Sequence, residues 1–149
     1  MTSGLLSAPA VQAAARGTVA AMAMSGMRKV TGGLGLLDES PPHAIAERNA
    51  DDLLTRLHVD REVAIEAAHW TYGAVGGALF GALPVALRRH AWSAPAYGVG
   101  TWVIYETVVA PLLRIPETTQ RTLVGRLALA ADHVLYGTVV GRSPVAERH

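Results

Sequence analysis

The sequence predicts an all-α integral membrane bundle of four transmembrane helices, arranged as two tandem helix pairs, with one amphipathic helix in the first loop. Three observations carry this. The chain of 149 residues is half apolar and only 17% charged, against about 25% for a soluble domain. Four apolar stretches each reach or nearly reach the roughly 20 residues that cross a bilayer. One motif also occurs twice, in the second and fourth of them. Residues 1–149 read as a single membrane domain.

The first helix is expected over about 8–27, interrupted only by Gln12 and Arg16. No basic segment precedes it, and Arg28 and Lys29 follow it as a stop-transfer flank would. It reads as a retained helix and not as a signal peptide. Thr31-Gly32-Gly33-Leu34-Gly35 is a turn segment. Ser40 followed by Pro41 and Pro42 marks a helix start, and an amphipathic helix is expected over about 41–58. Ile45, Ala50, Leu53, Leu54 and Leu57 fall on one side of it, with Glu47, Arg48, Asp51, Asp52 and Arg56 on the other. Such a helix lies on the membrane surface or folds back on the bundle.

The second helix is expected over about 63–87, where Glu66 and His69 are the ionisable groups. From Gly73 to Leu87 nothing is more polar than the backbone. A helix of a soluble bundle shows a polar stripe opposite its apolar one. The third, about 91–113, contains one charged residue, Glu106. The fourth, about 122–141, contains Arg126, Asp132 and His133. The links at 88–90 and 114–121 are short, which makes neighbours antiparallel and the bundle up-down-up-down.

The repeated motif is H-x-x-Y-G-x-x-x-G. It runs from His69 through Tyr72 and Gly73 to Gly77, and again from His133 through Tyr136 and Gly137 to Gly141. Five of nine positions match. A weaker match sets Gly17-Thr18-Val19 against Gly100-Thr101-Trp102. Two parallel copies of a helix pair share one orientation and are related by an axis along the membrane normal. His69 and His133 are then expected at similar depth. On a helix, i and i+3 share a face; the glycines extend it, and Gly73, Gly77 and Gly81 make a ridge that a second backbone can approach closely. A homodimer through that ridge is one expectation.

The Ala/Gly-rich first helix, the Pro41-Pro42 start and the two motifs at His69 and His133 resemble the YagU-like family of small multi-pass bacterial inner-membrane proteins. The resemblance implies an integral inner-membrane location. It implies no reaction.

The absence of cysteine excludes thiolate chemistry. A net charge of +1 without a basic face excludes a nucleic-acid binder. No phosphate loop and no Ser-His-Asp arrangement emerges, so no enzyme and no cofactor is expected. Glu66-x-x-His69 has half the spacing of a di-iron site, but Ala130 stands where the second motif needs Glu. Glu106 is costly in a bilayer, by about 2.5 kcal/mol or more at its centre, and is expected to turn inward with His69, Tyr72, His133 and Tyr136. This intramembrane cluster locks the bundle or a dimer. Alternatively it conducts a proton or a solute through Glu106 and the His pair. Haem or metal on the two imidazoles is a third reading.

The loops that follow the first and third helices hold Arg28, Lys29, Arg48, Arg56, Arg61, Arg114 and Arg121, against Arg88, Arg89, Arg142 and Arg148 on the other side. The positive-inside rule puts the first set in the cytoplasm. A reporter fused after Arg148 should therefore read periplasmic, and a cytoplasmic reading would reverse the orientation.

Overall fold

The structure, a computed structural model, describes residues 7–35, 56, 58, 60–112 and 122–142. Among these, every regular element is helical. α1 spans Ala8–Gly33, α2 Arg61–Ala82, α3 Val85–Arg88, α4 Ser93–Ile104, α5 Ala110–Leu112 and α6 Leu123–Val140. A π turn, Tyr105–Val109, joins α4 to α5 without a break. The amphipathic helix expected over 41–58 lies outside the described residues, save Arg56 and His58. So does the 114–121 link.

Local chemistry sets the boundaries, and several differ from expectation. Ser7 stands at the N-terminal boundary of α1, with Pro9 in the first turn. The helix runs beyond 27 and takes in Thr31, Gly32 and Gly33, ending before Gly35, whose φ is +68°. The turn segment is thus mostly helical. Asp60 caps α2 by accepting from the Val63 N–H at 3.0 Å. α2 stops at Ala82, short of Leu87, because Pro84 forbids the helical conformation at Leu83. α4 starts at Ser93 and not at 91. Pro111 has no N–H, and its ring crowds the carbonyl four residues back. The chain accommodates it with the π turn, in which the Ala110 N–H reaches the Tyr105 carbonyl. Thr122 caps α6 by accepting from the Gly125 N–H at 3.1 Å. That helix fills the expected span.

α1 and α2 pack antiparallel through small residues: Gly17 meets Gly73 and Gly77, Ala13 meets Gly77 and Gly81, and Ala10 meets Gly81. A Cβ on Gly77 would collide with the Ala13 carbonyl oxygen, and one on Gly17 with the Gly73 carbonyl. The second pair, α4 and α6, repeats this geometry. Gly98 lies on the His133 and Val134 backbone, Gly137 on Ala94 and Gly98, and Gly141 on Ala94. α1 also packs along α6 and so joins the two pairs.

Two expectations are corrected here. The ridge of Gly73, Gly77 and Gly81 is covered by α1 of the same chain, which leaves no glycine face there for a homodimer. The packing partner in the second pair is Gly98; a Cβ on Gly100 would meet nothing within 4 Å, so the weak match of Gly17 with Gly100 is not the structural register.

Small residues line the closest helix contacts, while Met24, Ile65, Phe80, Tyr105 and Tyr136 fill the rest of the core. The core holds Ala10, Ala13, Ala20 and Ala21, and Leu129 and Val140 are the largest side chains that are fully buried. Exposed large apolar residues occur on all four long helical stretches, among them Val19, Met27, Val75, Leu79, Val103, Ile104, Val108 and Leu127. One described helix, α6, is long and apolar enough to cross a membrane by length and composition.

The packing generates a paired test. Gly77→Val should lower stability by about 1–3 kcal/mol or more through overpacking. Gly100→Ala should leave it unchanged or raise it by up to about 1 kcal/mol, since alanine is the better helix former. Thermal unfolding in detergent measures both, and a Gly77→Val variant that melts like wild type would refute the close α1–α2 contact.

Candidate functional site

The register that joins Gly17 to Gly73 brings Ser25 and Arg28 of α1 beside Glu66 and His69 of α2. From Gly17, the residues Ala21, Ser25 and Arg28 follow at helical spacing on one face. The Ser25 hydroxyl lies 2.6 Å from Glu66 Oε2 and donates to it. Ser25 Oγ is also 3.2 Å from His69 Nδ1 and 3.2 Å from the Ala21 carbonyl oxygen. Arg28 Nη2 lies 2.9 Å from both ring nitrogens of His69. A guanidinium only donates, so the imidazole it faces is an acceptor.

α6 closes the cluster. Asp132 is 3% exposed and its Oδ1 has no hydrogen-bond partner. The Arg28 charge acts on Asp132, on Glu66 and on Tyr105. His133 lies one residue on and turns elsewhere: its Nδ1 is 2.8 Å from the Leu129 carbonyl, to which it donates. Its ring stacks at 6.5 Å on Tyr105 of the π turn.

A second layer separates this cluster from an apolar end. The Tyr136 hydroxyl donates to the Gly73 carbonyl at 2.7 Å, and the Tyr97 hydroxyl to the Gly76 carbonyl at 2.6 Å. These carbonyls belong to α2 and use their second lone pair. Beyond them Phe80 and Tyr97 meet edge to face at 5.1 Å, with Val140 and Ala13 in the same core. At that end Arg16 Nε donates to the Val140 carbonyl at 2.9 Å, in the last turn of α6, where a cation is favoured.

Of the residues expected in one cluster, the structure keeps His69 and His133 at the same end of the bundle, each within electrostatic reach of Arg28. Tyr72 is 58% exposed and turns away from them. Tyr136 is buried and bonds the Gly73 carbonyl. Glu106 is half-buried on the π turn, one residue past Tyr105, and Arg28 lies against His69. Ser25, Arg28 and Asp132 were missed. The signal for the first two was present: they continue the Gly17 face, although Arg28 reads in the sequence as a flank. Glu66 was weighed only as an iron ligand. Among the described residues, no three His, Asp or Glu side chains converge as metal ligands, and Arg28 occupies the edge of His69 that an ion would approach.

The two tyrosines of the repeat provide a discriminating test. Tyr136→Phe removes a buried hydrogen bond between the helix pairs and should cost about 0.5–1.5 kcal/mol. Tyr72→Phe should be neutral within about 0.5 kcal/mol, as surface changes usually are. Equal effects in detergent melts would show that the repeat is symmetric after all.

Comparisons of the chain with protein-family models, with curated proteins and with solved structures return no match, so its function is argued from this geometry.

Proposed function

We propose that the chain is a non-catalytic, multi-pass protein of the bacterial inner membrane, in which four helical stretches cross the bilayer and the polar cluster locks the two helix pairs together. One observation carries the reading: large apolar residues stand exposed on all four helical stretches, while the helices of each pair meet through glycine and alanine. In water the hydrophobic effect drives the large side chains inward, and exposed apolar patches beyond a few hundred Å² mark contacts with a partner or a membrane. In lipid that drive vanishes between helices, and close backbone packing with buried polar bonds replaces it.

The less apolar stretches fit the same account. α2 has Glu66 and His69 turned toward α1, and Val75 and Leu79 on its outer face. α4, the π turn and α5 run unbroken from Ser93 to Leu112, with Val99, Val103, Ile104, Val108 and Leu112 exposed. The bilayer is the partner that this surface suits. The YagU-like resemblance belongs to the same proposal and rests on the two motifs and the Pro41-Pro42 start. A locking role is preferred to conduction because Ser25, Arg28 and Tyr136 each spend a donor on a bond between helices.

Membrane fractionation tests the proposal. The expressed full chain should sediment with membranes and stay in the pellet after carbonate extraction. Recovery as a monodisperse soluble monomer would overturn it.

A further inference from the structure

The polar cluster has one negative charge more than its cation can match. Two carboxylates, Glu66 of α2 and Asp132 of α6, lie within electrostatic reach of Arg28 of α1. The other titratable groups around it bring no second cation. His69 of α2 is the acceptor for Arg28, His133 of α6 donates to a backbone carbonyl, and Tyr105 of the π turn is a phenol. The two carboxylates are placed differently. Glu66 is half-buried and takes the Ser25 hydroxyl. Asp132 is buried, and its Oδ1 receives no donor. A buried carboxylate with one oxygen that no donor reaches is costly while ionised, and protonation relieves that cost.

We infer that Asp132 is a proton-binding site: the bundle carries one proton on the Asp132 carboxyl while Arg28 stays with His69 and Glu66. The inference deepens the reading of a membrane-embedded bundle and rests on it, since lipid around α6 keeps water from the carboxyl. The exchange balances simply. Neutral Asp132 releases one proton to the aqueous buffer and becomes a carboxylate. The charge left behind is met electrostatically by Arg28, within whose reach it lies. A proton suits the site and a metal cation does not, because Arg28 repels an ion and no third ligand converges there among the described residues.

Infrared difference spectroscopy tests this on the full chain in lipid nanodiscs. Wild type at neutral pH should show a protonated-carboxyl C=O stretch that shifts in D₂O. The band should be lost in Asp132→Asn and kept in both Glu66→Gln and Glu106→Gln. If Asp132→Asn does not fold, Asp132→Glu supplies the answer, because the band should move in frequency with the longer side chain. A wild-type spectrum without the band, loss of the band in Glu66→Gln, or an unmoved band in Asp132→Glu would each overturn the assignment. Carbonate extraction of the same membranes judges the embedding separately, so failure of either reading is told apart from failure of the other.

Discussion

The contact of Gly17 with Gly73 and Gly77 governs the rest of the bundle. Each of these positions lacks a side chain where the facing backbone needs the space, and the helices approach more closely than any larger residue permits. That fixes the register of α1 against α2. Two turns along α1 from Gly17, about 12 Å at 1.5 Å per residue, lies Ser25; two turns back along α2 from Gly73 lies Glu66. Their hydrogen bond at 2.6 Å follows from the glycine contact and would not survive a slip of one turn. The polar site is therefore a product of the packing, and no separate element builds it.

The second pair obeys the same rule with different residues. Gly77 lies on the Ala13 carbonyl as Gly137 lies on that of Ala94, and Gly17 lies on the Gly73 carbonyl as Gly98 lies on that of His133. The two pairs thus share a backbone approach, in a register one turn away from the motif, which sets Gly73 against Gly137. The side chains differ further. Tyr136 reaches across to the Gly73 carbonyl, whereas Tyr72, its counterpart in the motif, faces outward. The pairs meet largely through α1 and α6, and the corresponding α2–α4 contact is slighter, made by Tyr97 on the Gly76 carbonyl and on Phe80. Tyr136 lies next to the α1–α6 interface and Tyr72 does not.

What the sequence revealed follows from what periodicity can report. Helices, their order and the packing glycines were legible, because apolar length and i, i+4 spacing are local. The ends at Ala82 and the π turn were overlooked, although Pro84 and Pro111 announce both. The site was legible only in part. Glu106 stands out in a list of residues because its neighbours in sequence are apolar, yet cost is set by neighbours in space. Asp132 points about 100° away from its neighbour His133 on a helix, so one site cannot take both squarely. That geometry holds: Asp132 is the residue turned into the bundle, while His133 bonds its own helix and stacks on Tyr105. Which of two adjacent residues faces inward depends on where α1 docks, and no single-helix pattern contains that information.

The same limit explains the two arginines of α1. In the sequence Arg16 is a flaw in an apolar stretch and Arg28 is its boundary. In the folded chain they lie twelve residues apart on the helix that touches both neighbours, about 18 Å along its axis. Arg16 holds the C-terminal carbonyl of α6 at one end, and Asp132 of the same helix lies within electrostatic reach of Arg28 near the other. α1 thus grips α6 at two levels through charge, while it grips α2 through glycine and alanine. The two interfaces differ in kind for a physical reason. Where small residues let backbones touch, dispersion suffices. Where α1 meets α6, Met24 and Val140 belong to one buried core, and the long side chain of Arg16 reaches across to the α6 backbone.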